Sequence, residues 1–454
     1  MKNHKYIVLG IVLLLTGACR NTEEELIFEQ SADERAQSAI TNLEQRLTAP
    51  ANGWVLRYKP VSESGRYVVL FDFNEDGSVR IQTDFGVNDN EFYDQTITYR
   101  VDNSLGLELI LETYSFFSYL FEQNGASFEA EFEFNYVNET PDGALVFNSK
   151  SDLSSRTILA FEPAPDNAES LLGRQLNNNL ESLSESLGLV SSVYRLDYSN
   201  RDLALFLSLN TFLRTVDFTY ASSSAGERGE SINFSTGYTA EGNSLILDEP
   251  LLSTYRGTEV NVSAINFQSL TDAPTIDKCG QPTPVQQYTA TLEESGESVA
   301  LLPTLFDPGG AQLQDLSEIF VAGVGGMYDN GVSVGQQVFD ATGGAVNFVV
   351  YHIQNRQDSF FAMGYLLQLD DGGFSIPVKE FTPTYEGNQV AFGFAPDYSF
   401  TNGDTTVTLN TDALDTYLNN ITEGGQTRLI QTGEMRYELF NPCTGWSVLL
   451  QELE

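Results

Sequence analysis

Chemistry built on histidine has little material here. The 454 residues include two histidines, His4 and His352. A zinc hydrolase draws on several nitrogen, sulfur or carboxylate ligands, commonly including two histidines. His352 lies in VVYHIQ, a strand-like run, where a structural role is expected. HExxH, GxGxxG and Walker loops are absent. Carboxylates need no histidine, and a paired-carboxylate glycoside hydrolase remains open. Glu131 and Glu133 would stand about 6.5–7 Å apart on one strand face. Every solvated strand with such alternation has this spacing, so no catalytic residue is assigned.

Oxygen ligands are better ordered in DFNEDG at residues 72–77. Asp72, Asn74 and Asp76 stand at positions 1, 3 and 5 of a calcium loop, with Gly77 at position 6. They are the candidate calcium ligands; no cofactor is otherwise expected. Position 12, where a calcium loop expects Glu, is Thr83, and Asp84 comes one residue late. The same NEDG is a strong hairpin turn without any ion. Tyr93, Tyr99, Tyr114, Tyr119 and Tyr328 are candidate aromatic platforms for a carbohydrate, although aromatics also suit strands.

Three cysteines occur. Cys279 and Cys443 sit in turn-like DKCGQPTP and NPCTGW and form a candidate disulfide in an oxidising compartment. Cys19 closes a different pattern. Lys2 and Lys5 precede a short apolar run from Tyr6 to Leu15, and Thr16, Gly17 and Ala18 are small. This is a signal peptide with a cysteine at its cleavage point, which makes Cys19 the expected lipid anchor. Thr16 stands where such signals usually carry Leu. The apolar run is shorter than the roughly 20 residues a spanning helix needs. Glu23, Glu24 and Glu25 then give an acidic tether, which an anionic surface would repel.

The elements that position these groups follow from hydrophobic period. Ser31 and Glu34 form a capping box. Ala36, Ala39, Ile40, Leu43 and Leu47 then recur near helical spacing. Period two takes over from Trp54, with strands expected at 54–59, 67–73, 78–83, 95–101, 107–111, 127–136, 144–147 and 157–162. Phe128, Ala130, Phe132 and Phe134 should share one face. Residues 168–187 read as helical, strands return from 193, 272–288 reads as a linker or long loop, and 412–421 is a short helix. The expected fold is mainly β with some helices (α+β): antiparallel sheets in two or three domains, the N-terminal helix packed on the first sheet. The expected divisions are signal peptide 1–18, tether 19–30, helix plus sheet 31–165, a mixed middle segment 166–285, and a β-rich domain 286–454.

Composition limits the partners. The formal net charge is −40, and loss of Lys2 and Lys5 with the signal would take it to −42. Nucleic acid and anionic lipid both need positive protein surface, so no nucleic-acid partner is expected. Thirty Phe and 21 Tyr supply ample core material, which separates this acidity from that of a disordered chain.

The run SADERAQSAITNLEQRL, then ANGWVLRYKP, GRYVVLFDFNEDGSVRIQTD, LETYSFFSYLFE and FEAEFEFNY resembles the DUF4302 family of Bacteroidetes lipoproteins. The likeness is most specific over residues 31–150. It implies no catalytic residues. It implies a lipid-anchored protein of the outer membrane, facing the exterior, that accompanies a nutrient uptake system. The implied partners are a TonB-dependent transporter with its binding lipoprotein, and a glycan or peptide ligand. The expected role is accessory, non-catalytic binding. Alternatives are an adhesin-like or structural protein-binding lipoprotein and a carboxylate-based glycoside hydrolase.

Overall fold

The computed structural model describes residues 30–88, 91–104, 106–123, 130–150, 157–185, 193–198, 204–219, 233–255, 258–272, 276–283, 286–303, 319–354, 359–369, 372–386, 389–400, 409–433 and 436–452. The chain is mainly β, with helices α1 (Ala32–Leu47), α2 (Phe116–Gln123), α3 (Arg174–Glu185), α4 (Gly335–Thr342) and α5 (Thr411–Thr422).

The N-terminal sheet closes on itself. Its eight strands run in chain order from Trp54–Tyr58 to Ile158–Pro163, each antiparallel to the next. The first and last are joined by Trp54↔Pro163 and Val55↔Glu162. Strand Tyr67–Phe73 shows why the pattern folds this way. Tyr67, Val69, Phe71 and Phe73 point into the barrel core. Val68 and Leu70 point outward and are covered by Ala164 and Leu172. A strand buried on both faces reads as a continuous apolar run. Helix α2 fills the interior, with Phe116, Phe117 and Leu120 fully buried. Helix α1 keeps its capping box, Ser31 with Glu34, and buries Leu43 and Leu47 against the same core.

A second barrel follows the same plan. Eight antiparallel strands lead from Val193–Tyr198 to Ser298–Pro303, and these two pair through Val299↔Tyr198 to Pro303↔Tyr194. Leu176 and Leu180 of α3 enter its core. The third sheet has twelve strands. Eight of them make a further ring, because Ile319–Gly323 pairs with both Ala345–Gln354 and Trp446–Glu452. Leu414, Leu418 and Ile421 of α5 pack in its core.

Three sequence expectations need correction. The division at 285/286 falls inside the second barrel, since Gln286–Leu292 and Ser298–Pro303 are its last two staves. The turn-rich composition of 272–288 reflects an excursion between staves, and local composition does not distinguish an excursion from a linker. Phe132 does not share a buried face with Phe134. Its strand starts at Glu133, and Phe132 is 47% exposed. Helices α2 and α4 were not expected, because FFSYLFEQ and GQQVFDAT are too short to show a helical period against an apolar background.

Candidate functional site

The candidate calcium residues sit in a hairpin turn. Asn74 donates its amide to the Ser78 carbonyl at 2.8 Å, and Gly77 adopts φ +81°. Asp76 Oδ1 accepts from the Ser78 amide at 3.0 Å and from its hydroxyl at 2.6 Å. These bonds hold the Asp76 carboxyl below its usual range. Asp72 lies one step down the strand, opposite Arg80. Thr83 pairs with Val69, three residues further along than Asp72. At about 3.4 Å per residue the hairpin arm carries position 12 roughly 10 Å away from Asp72, whereas a calcium loop curls it back. Among the described residues no group of three or more His, Cys, Asp or Glu is placed to hold a metal ion.

Glu131 and Glu133 converge on Lys150. Its ammonium bonds Glu133 at 2.7 Å and the buried Glu108 at 2.8 Å, while its amide donates to Glu131 at 2.8 Å. The hydrogen bonds that its ammonium donates to Glu108, then to Glu133, push the Lys150 pKa up to about 12. These carboxylates therefore fasten the strand Glu133–Glu139 to the turn after Leu145–Ser149.

A buried polar constellation joins the first two barrels, and no motif announced it. Asp84 and Arg214 are both buried, with Arg214 Nη2 3.4 Å from Asp84 Oδ2 and 2.9 Å from its carbonyl oxygen. Arg214 Nη1 donates to Asn177 of α3 at 2.7 Å, and the Val68 amide donates to Asp84 at 3.2 Å. The guanidinium lies over the rings of Tyr67, at 5.4 Å, and Tyr238, at 5.9 Å. Burial pushes the Asp84 carboxyl up against the downward pull of Arg214. Around this cluster the Gly65 amide bonds Leu213 at 2.9 Å and the Arg66 amide bonds Tyr238 at 2.9 Å. Arg57 grips Glu241 with two bonds of 2.8 and 2.9 Å, and Lys59 and Arg66 share Asp248. Asp84, one residue late for a calcium loop, is thus an inter-barrel residue.

In the third barrel Lys379 and Tyr398 both bond Asp415 of α5, at 2.7 and 2.8 Å, which ties that helix to the sheet. Gly331-Val332-Ser333-Val334-Gly335 has the GxSxG spacing. Ser333 lacks the strained backbone of a nucleophile elbow, since its φ is not positive, and its hydroxyl donates to the Gly325 carbonyl at 3.2 Å.

The tyrosines divide by exposure. Tyr93 and Tyr99 are buried, so neither is a platform. Tyr119 and Tyr328 are half-buried. Tyr114 is 47% exposed, and its hydroxyl is fixed by Glu122 at 2.7 Å. Phe121, beside Glu122 on α2, is 54% exposed. Phe132 belongs to the same end of the barrel, its carbonyl accepting from the Leu111 amide at 3.0 Å. Among the described residues no other large aromatic of this barrel is exposed, and most of its rings pack in the core. Cys279 and Cys443 are bonded to each other, with Cα atoms 5.2 Å apart. Cys19 lies outside the described residues.

Residues 24–264, more than half of the chain, match DUF4302, a domain of unknown function. The chain belongs to the DUF4302 family. The match spans the first barrel and runs into the second, ending in its strand Thr258–Asp272. No curated protein matches the chain. A crystal structure of a Bacteroides fragilis protein, provisionally assigned as an outer membrane protein, is similar at 11% identity over 57% of this chain and 96% of that one, with a TM-score of 0.18. A provisionally assigned DNA polymerase III beta subunit from Eubacterium rectale is similar at 6% identity over 92% and 97%, with a TM-score of 0.16. Likenesses at these scores carry no argument about fold, place or role.

Proposed function

We propose that this DUF4302 chain is an accessory lipoprotein, anchored through Cys19 on the outer face of the outer membrane, that binds a glycan or peptide without turning it over. The observation that carries the binding role is the exposed aromatic group of Tyr114, Phe121 and Phe132. Partly exposed aromatic faces with one fixed polar atom suit ligand contact, being apolar in body and wet at one end. The candidate catalytic carboxylates, Glu131 and Glu133, are by contrast engaged by Lys150. The signal ending at Cys19 and the acidic run behind it support the anchored, outward placement. In that placement a TonB-dependent transporter and its binding lipoprotein are the partners this reading names.

The test uses the chain from Arg20 onward, titrated calorimetrically against neutral polysaccharides and against mixed peptides, with chromatography of each mixture for products. Saturable binding without products, weakened at least tenfold by Tyr114→Ala, is expected. Release of products would replace the reading with a hydrolase. Binding indifferent to Tyr114→Ala, Phe121→Ala and Phe132→Ala would move the ligand elsewhere. Acyl labelling of the full chain, lost in Cys19→Ala, tests the anchor separately.

A further inference from the structure

The second barrel carries a hairpin that its ring does not use. Ile276–Lys278 pairs with Gln281–Thr283 as a two-stranded sheet of its own. The staves on either side, Thr258–Asp272 and Gln286–Leu292, already pair directly with each other. The tip of the hairpin is Cys279-Gly280, with φ of +58° and +77°. Two consecutive positive φ values make the tight turn that Asn-Gly or Gly-Gly serves best. A cysteine there sets its Cβ against its own backbone, which an L-residue adopts reluctantly. Strain of this kind persists where something outside the turn holds it.

What holds it belongs to the third barrel. Cys279 is bonded to Cys443, 164 residues on, in the turn between Arg436–Asn441 and Trp446–Glu452. That turn is also outside its ring, since the two strands pair directly. The seat is prepared on both sides. The Cys279 amide donates to Gln426 Oε1 at 3.0 Å, and the Cys443 amide donates to Asn441 Oδ1 at 2.9 Å. Asn441 in turn bonds the carbonyl of Glu423 at 2.9 Å, at the end of α5. Both cysteines are exposed.

We propose that the Cys279–Cys443 bond is a clasp that fixes the third barrel on the second, and that it is not a staple of either barrel's fold. Oxidation then sets the relative placement of the third barrel. A small dithiol reductant opens the clasp by attack of its thiolate on one sulfur. Its second thiol then displaces the mixed disulfide. The two cysteine thiols are released, and the reductant leaves as its own disulfide. The exposure of both sulfur-bearing residues lets such a reductant reach them.

The experiment compares the oxidised chain from Arg20, the same chain after dithiothreitol, and the double variant Cys279→Ser, Cys443→Ser, by small-angle X-ray scattering, circular dichroism and thermal melting. The expected result is an increased radius of gyration in both unclasped samples, with the β-type dichroism and melting of the barrels retained. An unchanged scattering curve would overturn the proposal by showing that non-covalent contact alone fixes the placement. Loss of dichroism on reducing the folded chain would overturn it by showing that a barrel needs the bond. Reduction after folding keeps the test valid if the double variant fails to fold.

Discussion

Single residues in this protein are charged where they hold parts together. Arg214 is the sharpest case, since its guanidinium is buried with Asp84 between two barrels. Removing one partner of such a pair leaves the other charge buried alone, at about 3–5 kcal/mol. Arg214→Ala should cost that much in urea unfolding of the chain. Asp84→Asn combined with Arg214→Met should recover most of it. A loss below about 1 kcal/mol for Arg214→Ala would show that water reaches the site. Lys150 gives a pH test. Its pKa is raised to about 12 by Glu108 and Glu133. A raised cation contributes stability that is complete below the free-lysine value of about 10.4 and is lost as pH climbs through about 12. The NMR titration of its Cε protons should have its midpoint near 12. In Glu133→Gln the midpoint should fall, and an unmoved midpoint would deny the contact.

At the scale of elements, the contact between barrels depends on closeness as well as charge. A Cβ built on Gly65 would lie 2.1 Å from the Arg214 carbonyl oxygen and 2.3 Å from that of Tyr238. Gly65→Ala must therefore push two backbones apart, costing at least ~2 kcal/mol. Calorimetry should then show the first two barrels melting as separate transitions, where the unaltered chain is expected to melt them together. The sequence displayed its elements more readily than this contact. The α1 capping box, the NEDG hairpin and the strand alternations are local, and each was legible because its cause lies within a few residues. Ring closure is settled by pairings such as Trp54↔Pro163, more than a hundred residues apart, which no local pattern records. The inter-barrel cluster was hidden for the same reason. Asp84, Asn177 and Arg214 are far apart in sequence and are brought together by elements of two barrels. Tyr114 and Tyr93 looked alike as candidate platforms, because side-chain exposure depends on where α2 comes to lie.

The whole molecule repeats one plan three times: eight antiparallel staves in chain order, the last returning to the first. Loops, helices and excursions of different length separate the staves, so no fixed sequence period marks them. Each ring opens and closes at the same rim, since Trp54 faces Pro163, Tyr194 faces Pro303 and Phe320 faces Glu452. This has a mechanical consequence. A load applied between the ends of one ring pulls its first and last strands apart sideways, along the hydrogen bonds that join antiparallel neighbours. The seam then gives one pair at a time, like a zipper, and the bonds never share the load as they do when strands are sheared lengthwise. Under tension the first barrel, whose seam has two paired positions, yields before the second, whose seam has five.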